Sequence, residues 1–298
     1  MDRAVAFYTN VLQFSKTSDD EIAGSAFERI EGVFGAHARI VRLRLGGETV
    51  ALTAYLTPGG RPIPVDSKSN DRWFQHIAII VSDMQRAYAT LRAAHVAYAS
   101  TEPQRLPPSI PSAAGITAFY FRDPDNHIIE VLQFPPDKGD SKWHATHGDA
   151  VFLGIDHSAI VVADTQTSVR FYVAELGFAI AGTSENFGAE QEHLNNVEGA
   201  RLLVTTLRAT SGPGIELIEY RQPRSGRPYP AGERSDDIVH WQTQLIALNA
   251  RAVYEAAVRR HQPIVSKGRV DLQTTPLRLR EGFLLRDPDG HVMEIVTR

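Results

Sequence analysis

Two glutamates stand alone inside otherwise apolar, strand-like runs, and both follow the same turn. RDPDNHIIEV at residues 122–131 and RDPDGHVMEI at 286–295 agree at six positions, including Glu130 and Glu294. The Asp-Pro-Asp part needs no function, because Pro presets φ for a tight turn and Gly accepts positive φ. The glutamates do need an account. A carboxylate buried without a partner is expensive, so a Glu kept at one register twice calls for a proton, a hydrogen-bond donor or a metal. The chain has no cysteine, so disulfides and thiolate metal sites are excluded. Any metal must sit among imidazole, carboxylate and amide ligands.

The elements that would position such groups repeat along the chain. Residues 152–178 read as an alternating strand ending at Asp164. An amphipathic helix follows, with Val169, Tyr172, Val173 and Leu176 on one face. Asp164 is a natural N-cap and Gly177 a natural stop. Residues 74–94 repeat the pattern with Asp83 as cap, and residues 242–260 with Asn249. Residues 1–14 match the helix alone: Phe7-Tyr8 align with Phe171-Tyr172, and Leu12 and Phe14 with Leu176 and Phe178. Further strand-like runs follow each helix, among them ARIVRLRL (38–45), TVALTAYL (49–56), ARLLVTTL (200–207) and GIELIEYR (214–221).

This grammar resembles the vicinal oxygen chelate superfamily, which includes glyoxalase I, methylmalonyl-CoA epimerase, extradiol dioxygenases and bleomycin and fosfomycin resistance proteins. The resemblance implies an α+β fold of four βαβββ modules paired into two cup-shaped mixed-sheet domains, the first module lacking its opening strand. The expected domains are residues 1–135 (modules 1–57 and 72–135) and 152–298 (modules 152–221 and 237–298). The polar segment 136–151 is the linker between them.

The resemblance also implies that metal ligands come from the first and last strands of paired modules. In a half-buried strand the side chains alternate faces, so register selects the candidates. His157 lies seven residues before the cap Asp164, on the cup face with Ala159 and Val161. Glu216 matches the glutamate of the family's IEL pattern, and Glu219 falls on the opposite face. Glu294 shares a face with Val292 and Val296. Residues 235–266 align without a gap to residues 69–100, which pairs Gln242 with His76 and makes Gln242 the ligand, with His240 as the alternative. The expected set in the second domain is therefore His157, Glu216, Gln242 and Glu294. It would hold one divalent ion (Zn, Ni, Co, Mn or Mg, or Fe in a dioxygenase), with Glu294 or Glu216 as the catalytic carboxylate. The first domain keeps His76 and Glu130 but has Ala51 where Glu216 stands, and reads as degenerate. His95 and His261 read as helix-end residues, Arg61-Pro62 and Arg227-Pro228 as structural connectors, and EQEHLNN (190–196) as pocket wall or solvated loop.

Three functions follow from the resemblance. A lyase or isomerase of glyoxalase or epimerase type would act on a small substrate with adjacent oxygens through an enediolate-like intermediate. An Fe(II) extradiol dioxygenase would need a tyrosine three residues before the Asp-Pro, where Leu284 stands, and a histidine upstream, which QTTPLRLREGF (273–283) lacks. A metal-free antibiotic-binding protein would leave the polar set unexplained. A formal charge of −4 and a charged fraction of 22% give no basic footprint for nucleic acid or an anionic membrane. The expectation is a cytoplasmic enzyme with a small-molecule substrate and a possible homo-oligomeric state. The missing opening strand of the first module predicts that the native chain begins upstream of Met1.

Overall fold

The computed structural model describes all residues, Met1–Arg298. Module one contains α1 (Asp2–Asn10), β1 (Ser15–Ala23), α2 (Ser25–Glu31), β2 (His37–Leu45) and β3 (Glu48–Thr57). Module two contains β4 (Gln75–Val81), α3 (Met84–Ala93), the short β5 (Ala97–Tyr98) and β6 (Gln104–Arg105), β7 (Thr117–Arg122) and β8 (Ile128–Gln133). Module three has β9 (Phe152–Val162), α4 (Thr165–Val169, continued by a wider π-type segment Arg170–Glu175), β10 (Ala179–Phe187), α5 (Ala189–Asn195), β11 (Arg201–Arg208) and β12 (Gly214–Gln222). Module four has β13 (Gln242–Ile246), α6 (Ala250–Arg259), β14 (Val270–Asp271), β15 (Glu281–Arg286) and β16 (Val292–Thr297). The fold is α+β with open mixed sheets.

Local chemistry starts and stops the helices. Asp83, Asp164 and Asn249 each accept a backbone N–H three residues on, from Arg86, Thr167 and Ala252, which satisfies an orphan donor of the first turn. Gly177 ends the third-module helix at φ 81°. His95 and His261 sit just past α3 and α6 at φ 53° and 55°, so they terminate the helices in the left-handed conformation.

The pairing of modules differs from the expected one. β4 and β9 pair antiparallel along their length, β8 joins β4 in parallel, and β12 joins β9 in parallel. Modules two and three therefore share one continuous sheet, ordered β10-β11-β12-β9-β4-β8-β7-β5. Modules one and four remain as two separate sheets, β1-β2-β3 and β13-β16-β15-β14, packed through Phe27, Ile30, Ile40, Leu279, Leu284 and Val296. The cups are thus two-with-three and one-with-four, whereas the sequence reading paired one with two and three with four.

Those sequential pairs do pack together, but on the helix side. Tyr8, Leu12 and Val41 of module one share a core with Ile77, Leu91 and Phe119 of module two. Phe171, Tyr172 and Leu217 of module three share one with Ala257, Phe283 and Met293 of module four. The Asp-Pro-Asp turns fasten these joints. Asp123 accepts the backbone N–H groups of Asp125 and His127 and, at 3.3 Å, the hydroxyl of Tyr8 from α1. Asp287 does the same for its own turn and for Tyr172 at 3.0 Å. The connectors cross between halves as well: Arg61 clasps Asp237, and Arg227 clasps Asp71. Each module therefore touches one neighbour through helices and another through a cup, and the four close into a ring. β3 and β13 are both sheet edges.

Candidate metal centre

His76 on β4, Glu130 on β8 and His157 on β9 meet inside the two-three cup, their ligand atoms all within 4.8 Å of one another. Strand alternation selects them. His76, Ala78 and Ile80 face the cup while Ile77, Ile79 and Val81 enter the helix-side core. Glu130 lies one register step along, opposite Ala78. β9 carries an extra residue at Asp156, where the register to β4 shifts. Such a bulge bends a strand and re-aims its side chains, and here it sets His157 into the cup beside His76, with ring centroids 6.0 Å apart.

A fourth donor completes the group. Glu216 Oε2 lies 3.4 Å from His157 Nε2 and Glu130 Oε2 lies 3.6 Å from it, while His76 Nε2 lies 3.2 Å from Glu130 Oε2. The Glu216 side chain is 23% exposed, whereas His76, Glu130 and His157 are buried. Thr206 donates its hydroxyl to Glu216 Oε1 at 2.9 Å. Asp156 lies 3.0 Å from His157 Nδ1 and also takes the guanidinium of Arg208 and the indole N–H of Trp143 from the linker. It orients the ring so that Nε2 faces the carboxylates.

Electrostatics make this an ionised cluster. Burial raises the Glu130 pKa, but the imidazoles of His157 and His76 close beside it outweigh that and hold the carboxyl at about 2. Burial opposes protonation of His157, and the charge of Glu216 with hydrogen bonds to Asp156 and Glu130 turns the balance, lifting its pKa well above the ordinary value. Both ring nitrogens of His76 are buried without a hydrogen-bond partner. A buried polar nitrogen left unpaired costs about 1–3 kcal/mol, and a cation bound to the lone pair of Nε2 would remove that penalty there.

The structure separates the residues expected to act together. His157 and Glu216 stay together, joined by His76 and Glu130 of the half read as degenerate. Gln242 and Glu294 lie in the other cup. Gln242 faces Val292 as His76 faces Ile128, but its amide donates to Glu31 at 2.7 Å. Glu294 accepts the Gln244 amide at 2.8 Å, and burial lifts its pKa to about 7, with the nearby Glu31 adding to the rise. The alternative, His240, is held by Glu233 through Nδ1 at 2.6 Å. Residues 190–195 form most of α5 and Asn196 caps its end, with Gln191 and Asn195 buried. The dioxygenase-type tyrosine is absent at Leu284. Yet Tyr120 stands three residues before Asp123-Pro124, paired across the sheet with Glu130 and 4.9 Å from the His76 ring.

A family model described as the Glyoxalase/Bleomycin resistance protein/Dioxygenase superfamily matches residues 1–131 and 154–295. The chain belongs to that superfamily. Among solved structures it is similar to glyoxalase I from Zea mays, at 16% identity and a TM-score of 0.59, covering 99% of this chain and 88% of that one. A mutant of the same maize enzyme gives 15% identity and a TM-score of 0.63 over 99% and 88% of the two chains. A putative dioxygenase from Bacillus subtilis gives 13% and 0.56 over 99% and 81%. At these identities the likeness is one of fold. No curated protein matches the chain. No helix is long and apolar enough to cross a membrane.

Proposed function

We propose that the chain is a divalent-metal-dependent lyase or isomerase, with His76, Glu130, His157 and Glu216 as the metal-binding set. Two imidazoles and two carboxylates suit a borderline divalent ion. Ligands about 2.1 Å from a metal sit about 3.0–3.4 Å apart in octahedral or tetrahedral arrangements, close to the 3.2, 3.4 and 3.6 Å separations here. The unpartnered nitrogens of His76 fit the same reading. When bound, such an ion polarises adjacent substrate oxygens and acidifies a neighbouring C–H bond.

Glu216 carries the choice of reaction class. It is the most exposed of the four donors, and Thr206 holds its Oε1 while Oε2 lies 3.4 Å from His157 Nε2. A carboxylate so placed can take a proton from one carbon and return it to another. Glu130 and the two imidazoles stay fixed in the buried floor. The test is solvent-deuterium incorporation into a small α-hydroxy ketone. The native protein should catalyse exchange, and Glu216→Gln should abolish it while keeping bound metal.

Tyr120 favours a second reading, an Fe(II) dioxygenase on a two-His-one-carboxylate face. Burial, followed by the charge of Glu130, raises its pKa well above the usual tyrosine value. No histidine occurs between residues 99 and 122 to assist it. Iron in the purified protein together with oxygen uptake on catechol would move the assignment to this class.

A further inference from the structure

A second concavity lies beneath the linker, at the far end of the same cup. Its volume is about 630 Å³, within the range that accommodates a metabolite-sized ligand. One wall is the cup itself. Ile80 and Trp143 both line the cavity and pack with Leu132 and Leu153 in a small apolar cluster. The roof is the linker, kept in shape by three hydrogen bonds. His144 Nε2–H donates to the Lys138 carbonyl at 2.6 Å, His147 Nε2–H to that of Lys142 at 2.9 Å, and the Ser82 hydroxyl to that of Ala150 at 2.7 Å.

The polar groups facing this space are unbalanced in sign. No aspartate or glutamate lines it, although the chain as a whole is acidic. Arg105 lines it, and its exposed guanidinium has neither a salt bridge nor a hydrogen bond within the protein. Gln133 accepts the Met84 N–H through its carbonyl oxygen at 2.9 Å, which leaves the amide NH₂ as the free end. The Thr117 hydroxyl is also unengaged and sits on β7 beside Arg105, the two paired across β6 and β7. Free donors and a free cation converge on a cavity without acids, and its aliphatic and aromatic walls suit a carbon skeleton.

We propose that this cavity is a binding site for a small organic carboxylate, with Arg105 as the anion anchor and Gln133 and Thr117 as supporting donors. A guanidinium matches the two oxygens of a carboxylate with two parallel hydrogen bonds. The site is separate from the four metal-binding side chains, with Trp143 standing between the two and donating to Asp156, the residue that orients His157.

Isothermal calorimetry with citrate, inorganic phosphate and glycerol on metal-stripped protein tests the assignment. Citrate should bind saturably. Arg105→Ala should weaken it at least about tenfold, equivalent to about 1.4 kcal/mol, with an unchanged melting temperature because Arg105 has no structural partner. His76→Ala should bind citrate as the native chain does. The proposal is overturned by absence of saturable heat up to about 10 mM citrate, by an Arg105→Ala protein that binds normally, or by loss of binding in His76→Ala. Phosphate or glycerol binding more tightly than citrate would overturn the carboxylate assignment.

Discussion

Glu130 and Glu294 end the same motif on equivalent strands, yet the two cups shift their ionisation in opposite directions. Glu130 meets His76 beside it and His157 from the neighbouring module, and stays ionised. Glu294 meets Gln244 and the acidic Glu31, and its pKa rises to about 7. The motif itself cannot account for this, since its turn, its apolar neighbours and its register are shared. The strand brought alongside decides. In the two-three cup β9 supplies a histidine and β12 supplies Glu216. In the one-four cup no strand lies between β3 and β13, and Ala51 stands at the position of Glu216. One cup has become an ionised cluster and the other a hydrogen-bonded polar core.

The sharpest way to break this comparison is metal content. His76→Ala and His157→Ala should each abolish metal binding, while Gln242→Ala and Glu294→Ala keep it. Metal lost from Gln242→Ala and Glu294→Ala but kept by His76→Ala, by elemental analysis, would return the site to the residues expected from sequence.

Stability against pH separates the cups next. The folded-state pKa of Glu294 lies above its ordinary 4.5, at about 7, so protonation favours the fold. This contribution is complete below about pH 4.5 and disappears as the pH rises through about 7, a loss of about 3 kcal/mol. Glu294→Gln should flatten that part of the denaturant-measured stability profile, and an unchanged profile would show that Glu294 is not the group titrating.

Asp156→Asn should keep the fold but weaken metal affinity about 10–100-fold, the usual effect of losing the partner that orients a ligating histidine. Competition with a chelator would measure it, and no change would mean that packing alone orients His157. The smallest effect belongs to the connector clasps. Arg61→Ala and Arg227→Ala each strand a buried aspartate, Asp237 or Asp71, and should lower the melting temperature by a few degrees. Because the geometry is alike, the two drops should match, and a clear mismatch would mean that the clasps are not equivalent.

Much of this architecture is legible in the chain. The repeats, the caps at Asp83, Asp164 and Asn249, and the cup-facing register of His157, Glu216 and Glu294 follow from period and capping chemistry alone. The ungapped alignment also places Gln242 where His76 stands. The choice of cup partner did not follow, because alternation says which face a residue occupies and nothing about which strand lies across from it. A cue was nevertheless present. QHIAIIV and FLGIDHSAIVV are apolar on both faces, as central strands are, and β4 and β9 are almost wholly buried. QTQLI is short and polar, and β13 is a half-exposed edge. Two strands that must both be central are natural neighbours of each other. His76 then belongs with His157, and Glu130 falls beside both of them.

The ring of modules has a consequence for the linker at 136–151. Each sequence half holds most of a helix-side core but only half of either cup, so two severed halves would have to find each other before His76 and Glu130 could meet His157 and Glu216. Tethering makes that encounter intramolecular, at an effective concentration that a short connection places in the millimolar range. Both cups then engage together, so that releasing one leaves the other to hold the halves in place. Dilution, which would dismantle a pocket built between separate subunits, leaves this one assembled.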